Sequence, residues 1–166
     1  GDIGSGAGVI GLTLAAERPD VEVTCIDRDP AAALLTARNA VRLGVAARVH
    51  VVRADLVAPL AAGALDLLVS NPPYVASGVI ATLAPEVRDH DPRLALDGGP
   101  DGLVVIARLL AGAGHVLRPG GGLVVEIGDE QGEAVGRLAA AQGFADVTIR
   151  PDLAGRERVL CARRAA

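Results

Sequence analysis

Two short stretches of the chain carry residues that could do chemistry. The first is Asn71-Pro72-Pro73-Tyr74. Neither proline has a backbone N–H and both fix φ, so the turn they make is stiff. It offers the carbonyl oxygen of Pro72 and the side-chain oxygen of Asn71 as outward acceptors, and a substrate NH2 group can donate to both. Tyr74, the single tyrosine of the chain, is expected to lie flat against a planar amide or base. An amide nitrogen is a poor nucleophile because its lone pair is delocalised into the carbonyl. Acceptors holding its N–H bonds favour a geometry in which the lone pair can attack, so positioning and electrostatics supply much of the acceleration. No strong general base is required, and His50, His90 and His115 read as exposed or loop histidines. The competing reading is a rigid Pro-Pro loop with a surface tyrosine.

The second stretch is Asp2-x-Gly4-x-Gly6-x-Gly8, which follows strand residues and opens a helix. Without Cβ atoms its backbone can pass close to a ligand. Gly6-x-Gly8-x-x-Gly11 also fits the dinucleotide fingerprint, with Asp27 at the spacing of a ribose-binding acid. A tight turn with no ligand is the third possibility. Asp2 tips the balance, because an anion before the turn repels a pyrophosphate. It can accept hydrogen bonds from the cationic amino-acid end of S-adenosylmethionine, directly or through water. A methyl donor is therefore favoured over NAD. Asp27 can accept both ribose hydroxyls, or else cap a helix; Asp55 can receive the adenine amino group, or else be an ordinary surface acid.

These residues need a scaffold, and the chain supplies an alternation of β-rich and helical segments that marks a parallel α/β sheet. Val9 to Glu17 reads as a helix and Val21 to Asp27 as a strand ending on an acid. Asp29-Pro30 caps a helix that runs to Leu43 and stops at Gly44. Val49 to Arg53 and Leu65 to Ser70 are strands, the latter running directly into Asn71. Val75 to Pro100 is expected to be a long irregular loop with one helical turn near Pro85. Asp101 to Leu117 reads as a helix, Pro119 and three glycines as a turn, Leu123 to Ile127 as a strand and Glu130 to Gln142 as a helix. Val147 to Arg150 and Val159 to Ala162 complete an antiparallel hairpin. Gly4, Asp27, Asp55 and Asn71 all fall at the carboxyl ends of strands, where open α/β sheets bind ligands.

Composition bounds the function. The 166 residues fit one domain, and 51% hydrophobic content suffices for one core. A net charge of −4 lacks the basic excess of a phosphate-backbone binder, so direct nucleic-acid contact by this domain is not expected. Cys25 and Cys161 have no Cys-x-x-Cys partner, which argues against zinc and against a disulfide framework. No apolar run reaches membrane-spanning length, so a soluble cytoplasmic protein is expected. Gly1 to Gly4 look like the end of a strand whose front is missing, so the chain is expected to be N-terminally truncated.

Taken in order, Asp2-Ile3-Gly4-Ser5-Gly6-Ala7-Gly8, Asp27, Asn71-Pro72-Pro73-Tyr74, Ala95-Leu96-Asp97-Gly98-Gly99-Pro100-Asp101-Gly102-Leu103 and Glu126-Ile127-Gly128 resemble the HemK/PrmC protein-glutamine methyltransferases. That family modifies the glutamine of the Gly-Gly-Gln loop of peptide-chain release factors. The resemblance spans nearly the whole chain. Asn-Pro-Pro-Tyr alone is shared with adenine- and guanine-amine methyltransferases, whereas the Ala-Leu-Asp-Gly-Gly segment is narrower. The resemblance implies that Gly4, Ser5, Gly6, Ala7, Gly8, Asp27, Asp55, Leu56 and Asn71 contact S-adenosylmethionine, and that Asn71, Pro72, Pro73 and Tyr74 hold the glutamine. It implies a Rossmann-like class I methyltransferase fold with strand order 3-2-1-4-5-7-6 and a release factor as partner; a monomer is expected. The family's Glu-Pro is Asp91-Pro92 here, and its N-terminal helical domain has no counterpart in these 166 residues. Two other functions fit the same motifs: a DNA or rRNA amine methyltransferase, and a non-catalytic S-adenosylmethionine-binding scaffold.

Overall fold

Seven strands form one sheet in the computed structural model, which describes residues 1–166. In chain order they are β1 (Asp2–Ile3), β2 (Val23–Asp27), β3 (Val49–Arg53), β4 (Leu65–Ser70), β5 (Leu117–Glu126), β6 (Phe144–Pro151) and β7 (Glu157–Arg164). Across the sheet they lie β3-β2-β1-β4-β5-β7-β6. The first five run parallel, and β7 enters antiparallel between β5 and β6. The order reverses at β1, so the crevice expected of such sheets opens above the carboxyl ends of β1 and β4.

The helices are α1 (Val9–Glu17), α2 (Pro30–Arg42), α3 (Pro85–Arg88), α4 (Arg93–Leu96), α5 (Val104–Val116) and α6 (Gly132–Ala141). Successive strand residues point to opposite faces, and two cores result. Val23 and Cys25 pack with Leu12 and Ala15 of α1 and Ala40 of α2. Ile3, Ile26 and Leu68 pack on the other face with Ile106, Leu109 and Leu110 of α5, and that core continues to Val135 and Ala139 of α6. Asp29 caps α2, its side chain accepting from the Ala31 N–H at 2.8 Å, with Pro30 at the first helical position. Gly44 ends it in the left-handed conformation at φ 71°.

Several boundaries differ from those expected. Pro119 to Gly122 do not form a free turn, because β5 starts at Leu117 and absorbs them as a bulge. Pairing with β4 jumps from Leu65 opposite Leu117 to Leu67 opposite Gly122. A bulge tolerates a proline without a donor and a glycine at φ 74°, here Gly120. The segment 75–100 is more ordered than a single helical turn, holding α3, α4 and a 3-10 turn at Ile80–Thr82. β2 begins at Val23, and α5 at Val104 because Gly102 sits at φ 75°. Both strands of the hairpin are longer than expected.

Candidate active site

The glycine-rich turn between β1 and α1 folds back onto β2. The N–H groups of Gly4 and Ser5 both donate to the Ile26 carbonyl, at 2.8 and 3.0 Å. Gly4 and Gly6 are left-handed, at φ 73° and 56°, and a Cβ built on either meets nothing within 4 Å. Glycine is thus required there by conformation, and the space beside the turn is open. Asp27, at the end of β2, accepts from the Gly6 N–H through Oδ2 and from the Asp29 N–H through Oδ1, each at 2.8 Å. A carboxylate has about four acceptor positions, so each oxygen keeps one for a ligand. From α2, Thr36 Oγ1 donates to the Gly6 carbonyl at 2.8 Å and Asn39 Nδ2 to the Ala7 carbonyl at 2.9 Å. The turn is held before any ligand arrives.

Above it lies a cleft of about 630 Å3. Gly4, Gly6, Ala7, Asp27, Asp55, Leu56, Asn71 and Pro73 line it. Asp2, Ser5, Gly8, Pro72 and Tyr74 do not. Asp2, expected on the amino-acid end of the ligand, is 1% exposed and its Oδ2 accepts from the Gly11 N–H at 2.8 Å. It lies beneath the turn and fastens α1 to β1. Burial is the main cause pushing its carboxyl above the usual range. Gly8 packs inward, where a Cβ would come within 2.7 Å of Leu12 Cδ1. Ser5 is buried too, and its hydroxyl has no hydrogen-bond partner in the protein.

At the far end of the cleft Asp55 is joined to Arg108 of α5 at 2.6 Å. Leu56 follows at φ 49°. Ile26, Leu35, Ala54 and Val105 add apolar lining. Carboxylate acceptors beside an apolar lining suit a ligand with both polar and apolar parts. Asp91, Pro92 and Leu94, from the segment read as irregular, form another wall.

Asn71 stands at the third side of the cleft, exposed and with its carboxamide in no hydrogen bond within the protein. The residues after it are braced. The Tyr74 hydroxyl donates to Glu126 Oε1 at 3.1 Å, and the Tyr74 carbonyl accepts from Gln131 Nε2 at 3.0 Å. Gln131 Oε1 in turn accepts from the Gly128 N–H at 2.9 Å. Val75 exchanges backbone bonds with Leu96 and Gly98, at 2.9 and 2.8 Å. Asp97 Oδ1 accepts from Ser77 Oγ at 2.5 Å and from the Gly99 N–H at 3.0 Å. These bonds, the Ser77 one first, hold its carboxyl below the usual range. A Cβ at Gly102 would collide with the Tyr74 carbonyl oxygen. Burial, then the Glu126 charge, pushes the Tyr74 phenol up.

Residues not assigned a role from sequence therefore complete the site: Thr36, Asn39, Arg108, Glu126 and Gln131. Glu126 stood in the Glu126-Ile127-Gly128 segment without an assigned role, while Arg108 carried no signal beyond its helix. No cluster of His, Cys, Asp or Glu could hold a metal ion, and no helix is long and apolar enough to cross a membrane.

The family model described as "Methyltransferase small domain" matches residues 1–87. Two curated relatives named release factor glutamine methyltransferase are similar over nearly the whole chain. The Moorella thermoacetica protein is 48% identical over 98% of this chain and 58% of its own length. The Cereibacter sphaeroides protein is 47% identical, with the same coverage. The chain thus spans somewhat more than half the length of these relatives. Among solved structures, a methyltransferase from Pyrococcus furiosus superposes with a TM-score of 0.72 at 17% identity, over 99% of this chain and 74% of that one. A SAM-dependent methyltransferase from Aquifex aeolicus gives a TM-score of 0.68 at 15% identity, over 99% and 80%. These two share the fold.

Proposed function

We propose, from the premise that the chain belongs to the methyltransferase small domain family, that it transfers a methyl group from S-adenosylmethionine to the side-chain nitrogen of a protein glutamine. The acceptor is the glutamine of the Gly-Gly-Gln loop of a peptide-chain release factor. The observation that carries this reading is the free carboxamide of Asn71 at the cleft, next to a Pro-Pro-Tyr segment braced from four sides. The name carried by relatives at 47–48% identity supports the choice of acceptor.

The residues present fit the methyl donor. Gly4 and Gly6 leave an open cradle, and Asp27 keeps acceptor capacity for ribose hydroxyls. Leu56 and Val105 offer apolar contact for the base, with Asp55 at its polar edge. When bound, the donor supplies an electrophilic methyl group on a sulfonium. The chain's own part is positional. Asn71 Oδ1 accepts an N–H bond of the glutamine amide, which orients its nitrogen and favours the developing positive charge there. The proton released on methylation passes to solvent.

The test is to incubate the protein with labelled methyl donor and either a release factor, its Gln-to-Ala variant at Gly-Gly-Gln, or ribosomal RNA and DNA. Label on the release factor that vanishes in the variant supports the reading. Label on nucleic acid alone overturns it in favour of an amine methyltransferase, against which the net charge of −4 argues. Donor binding without label on any acceptor points to the scaffold.

A further inference from the structure

Tyr74 is the only aromatic residue of the segment proposed to hold the substrate, and in that role its ring must keep one orientation. Its backbone is fixed by Gln131 and by the Val75 pairing with Leu96 and Gly98. The ring packs against the main core, but packing alone does not direct its hydroxyl. The register of the sheet supplies an anchor for it. Ser70 pairs with Val125, which brings Glu126 beside the start of the Asn71 turn, and Glu126 pairs with Val159, which brings Arg158 close by. The Tyr74 hydroxyl donates to Glu126 Oε1 at 3.1 Å. Arg158, only 23% exposed at its side chain, is itself secured by the Ile127 carbonyl at 3.1 Å and by Asp152 at 3.6 Å.

We infer that Glu126 is a positioning residue for methyl transfer: its carboxylate holds the Tyr74 ring in place through the phenol hydroxyl. The inference rests on the reading of Asn71 to Tyr74 as the amide clamp. Glu126 lies outside the donor cleft, so its loss acts on the acceptor side alone. A glutamine at this position still accepts from the phenol, whereas an alanine cannot.

Tyr74 is the single tyrosine, and the chain has no tryptophan, so the phenolate absorbance of the folded protein titrates this one group. The charged groups facing it are Glu126 of β5 and Arg158 of β7. Removing the Glu126 charge in E126Q lowers the phenol's pKa, and removing the cation in R158Q raises it. Opposite shifts are expected, and an unmoved phenol in E126Q would overturn the contact. The second measurement is a double-mutant cycle in the methylation assay. E126A and Y74F each lower kcat by about tenfold, with donor affinity unchanged; the double variant is no worse than the poorer single, and E126Q returns to within about threefold of wild type. Multiplying losses, or equal losses in E126Q and E126A, would overturn the positioning role. If wild type labels only a nucleic-acid amine, the cycle is run on that acceptor. A wrong acceptor and a wrong role for Glu126 then give different results.

Discussion

Asn71 and Asp27 line the same cleft, and the different tasks proposed for them should be separable by substitution. Asn71→Ala removes one acceptor for the substrate amide. It is expected to lower turnover by roughly two to three powers of ten, by analogy with the loss of one oriented hydrogen bond to a reacting group. Donor affinity, measured by calorimetry, should fall far less. Asp27→Ala should show the reverse: donor affinity weakened about tenfold or more through lost charged hydrogen bonds, and turnover at saturating donor within a few-fold. Because Asp27 also holds the Gly6 and Asp29 N–H groups, Asp27→Asn should lie between. Asn71 and Asp27 were legible in the sequence because each ends a strand and sits in a short local motif. Glu126 and Gln131 were not, since they meet Tyr74 across 52 and 57 residues of chain, and no local spacing encodes such a meeting. Asp2 was legible as an acid but not as a buried one, because its partner Gly11 becomes its neighbour only when α1 forms.

At the scale of elements, the segment after Tyr74 behaves as a splint. Gly102→Ala places a Cβ against the Tyr74 carbonyl and forces alanine into φ 75°. The expected cost is about 2–4 kcal/mol in a urea melt, with methyl transfer lost and donor binding largely kept. A variant with wild-type urea midpoint and activity would show that the splint is dispensable. The regular elements could be read from hydrophobic period and caps: α1 came out at Val9–Glu17, and α2 started at its Asp29-Pro30 cap. The β5 bulge and α4 could not. Pro119 with Gly120 to Gly122 is turn chemistry, and only pairing with β4 draws those residues into a strand. The four residues of α4 are too few to show a period.

For the molecule as a whole, the buried acid under the turn gives a pH signature. Asp2 is raised above its ordinary value by burial, against the opposing bond from Gly11, so the fold prefers its protonated form. Its favourable contribution is complete below the unfolded-state value and is lost as pH rises through the folded one. Asp2→Asn, which can keep the acceptor for Gly11, should therefore be the more stable protein at neutral pH, and the gap should close on acidification. Urea midpoints of both proteins across that range check the sign; a gap that widens in acid would assign the wrong protonation preference to Asp2. Cys25, next to Asp2 and pushed up to about 12 chiefly by burial, stays a neutral thiol throughout.

The insertion of β7 between β5 and β6 has a consequence for how the protein is made. Residues 157–164 follow every other strand in the sequence, yet they occupy an interior place in the sheet. While the ribosome is still delivering them, β5 presents a bare rim of N–H and C=O groups from Gly122 to Glu126, and Phe144 to Pro151 has nothing to pair with. Such a rim is a template for another polypeptide's backbone. The nascent molecule can assemble the donor half, β1 to β3 with α1 and α2, early. The rim of β5 beside Glu126 can be covered only once residues 157–164 have emerged. A stalled or prematurely released chain would then hold a formed nucleoside cradle beside a sticky, unfinished edge, which makes it a natural client for chaperones that mask exposed strands.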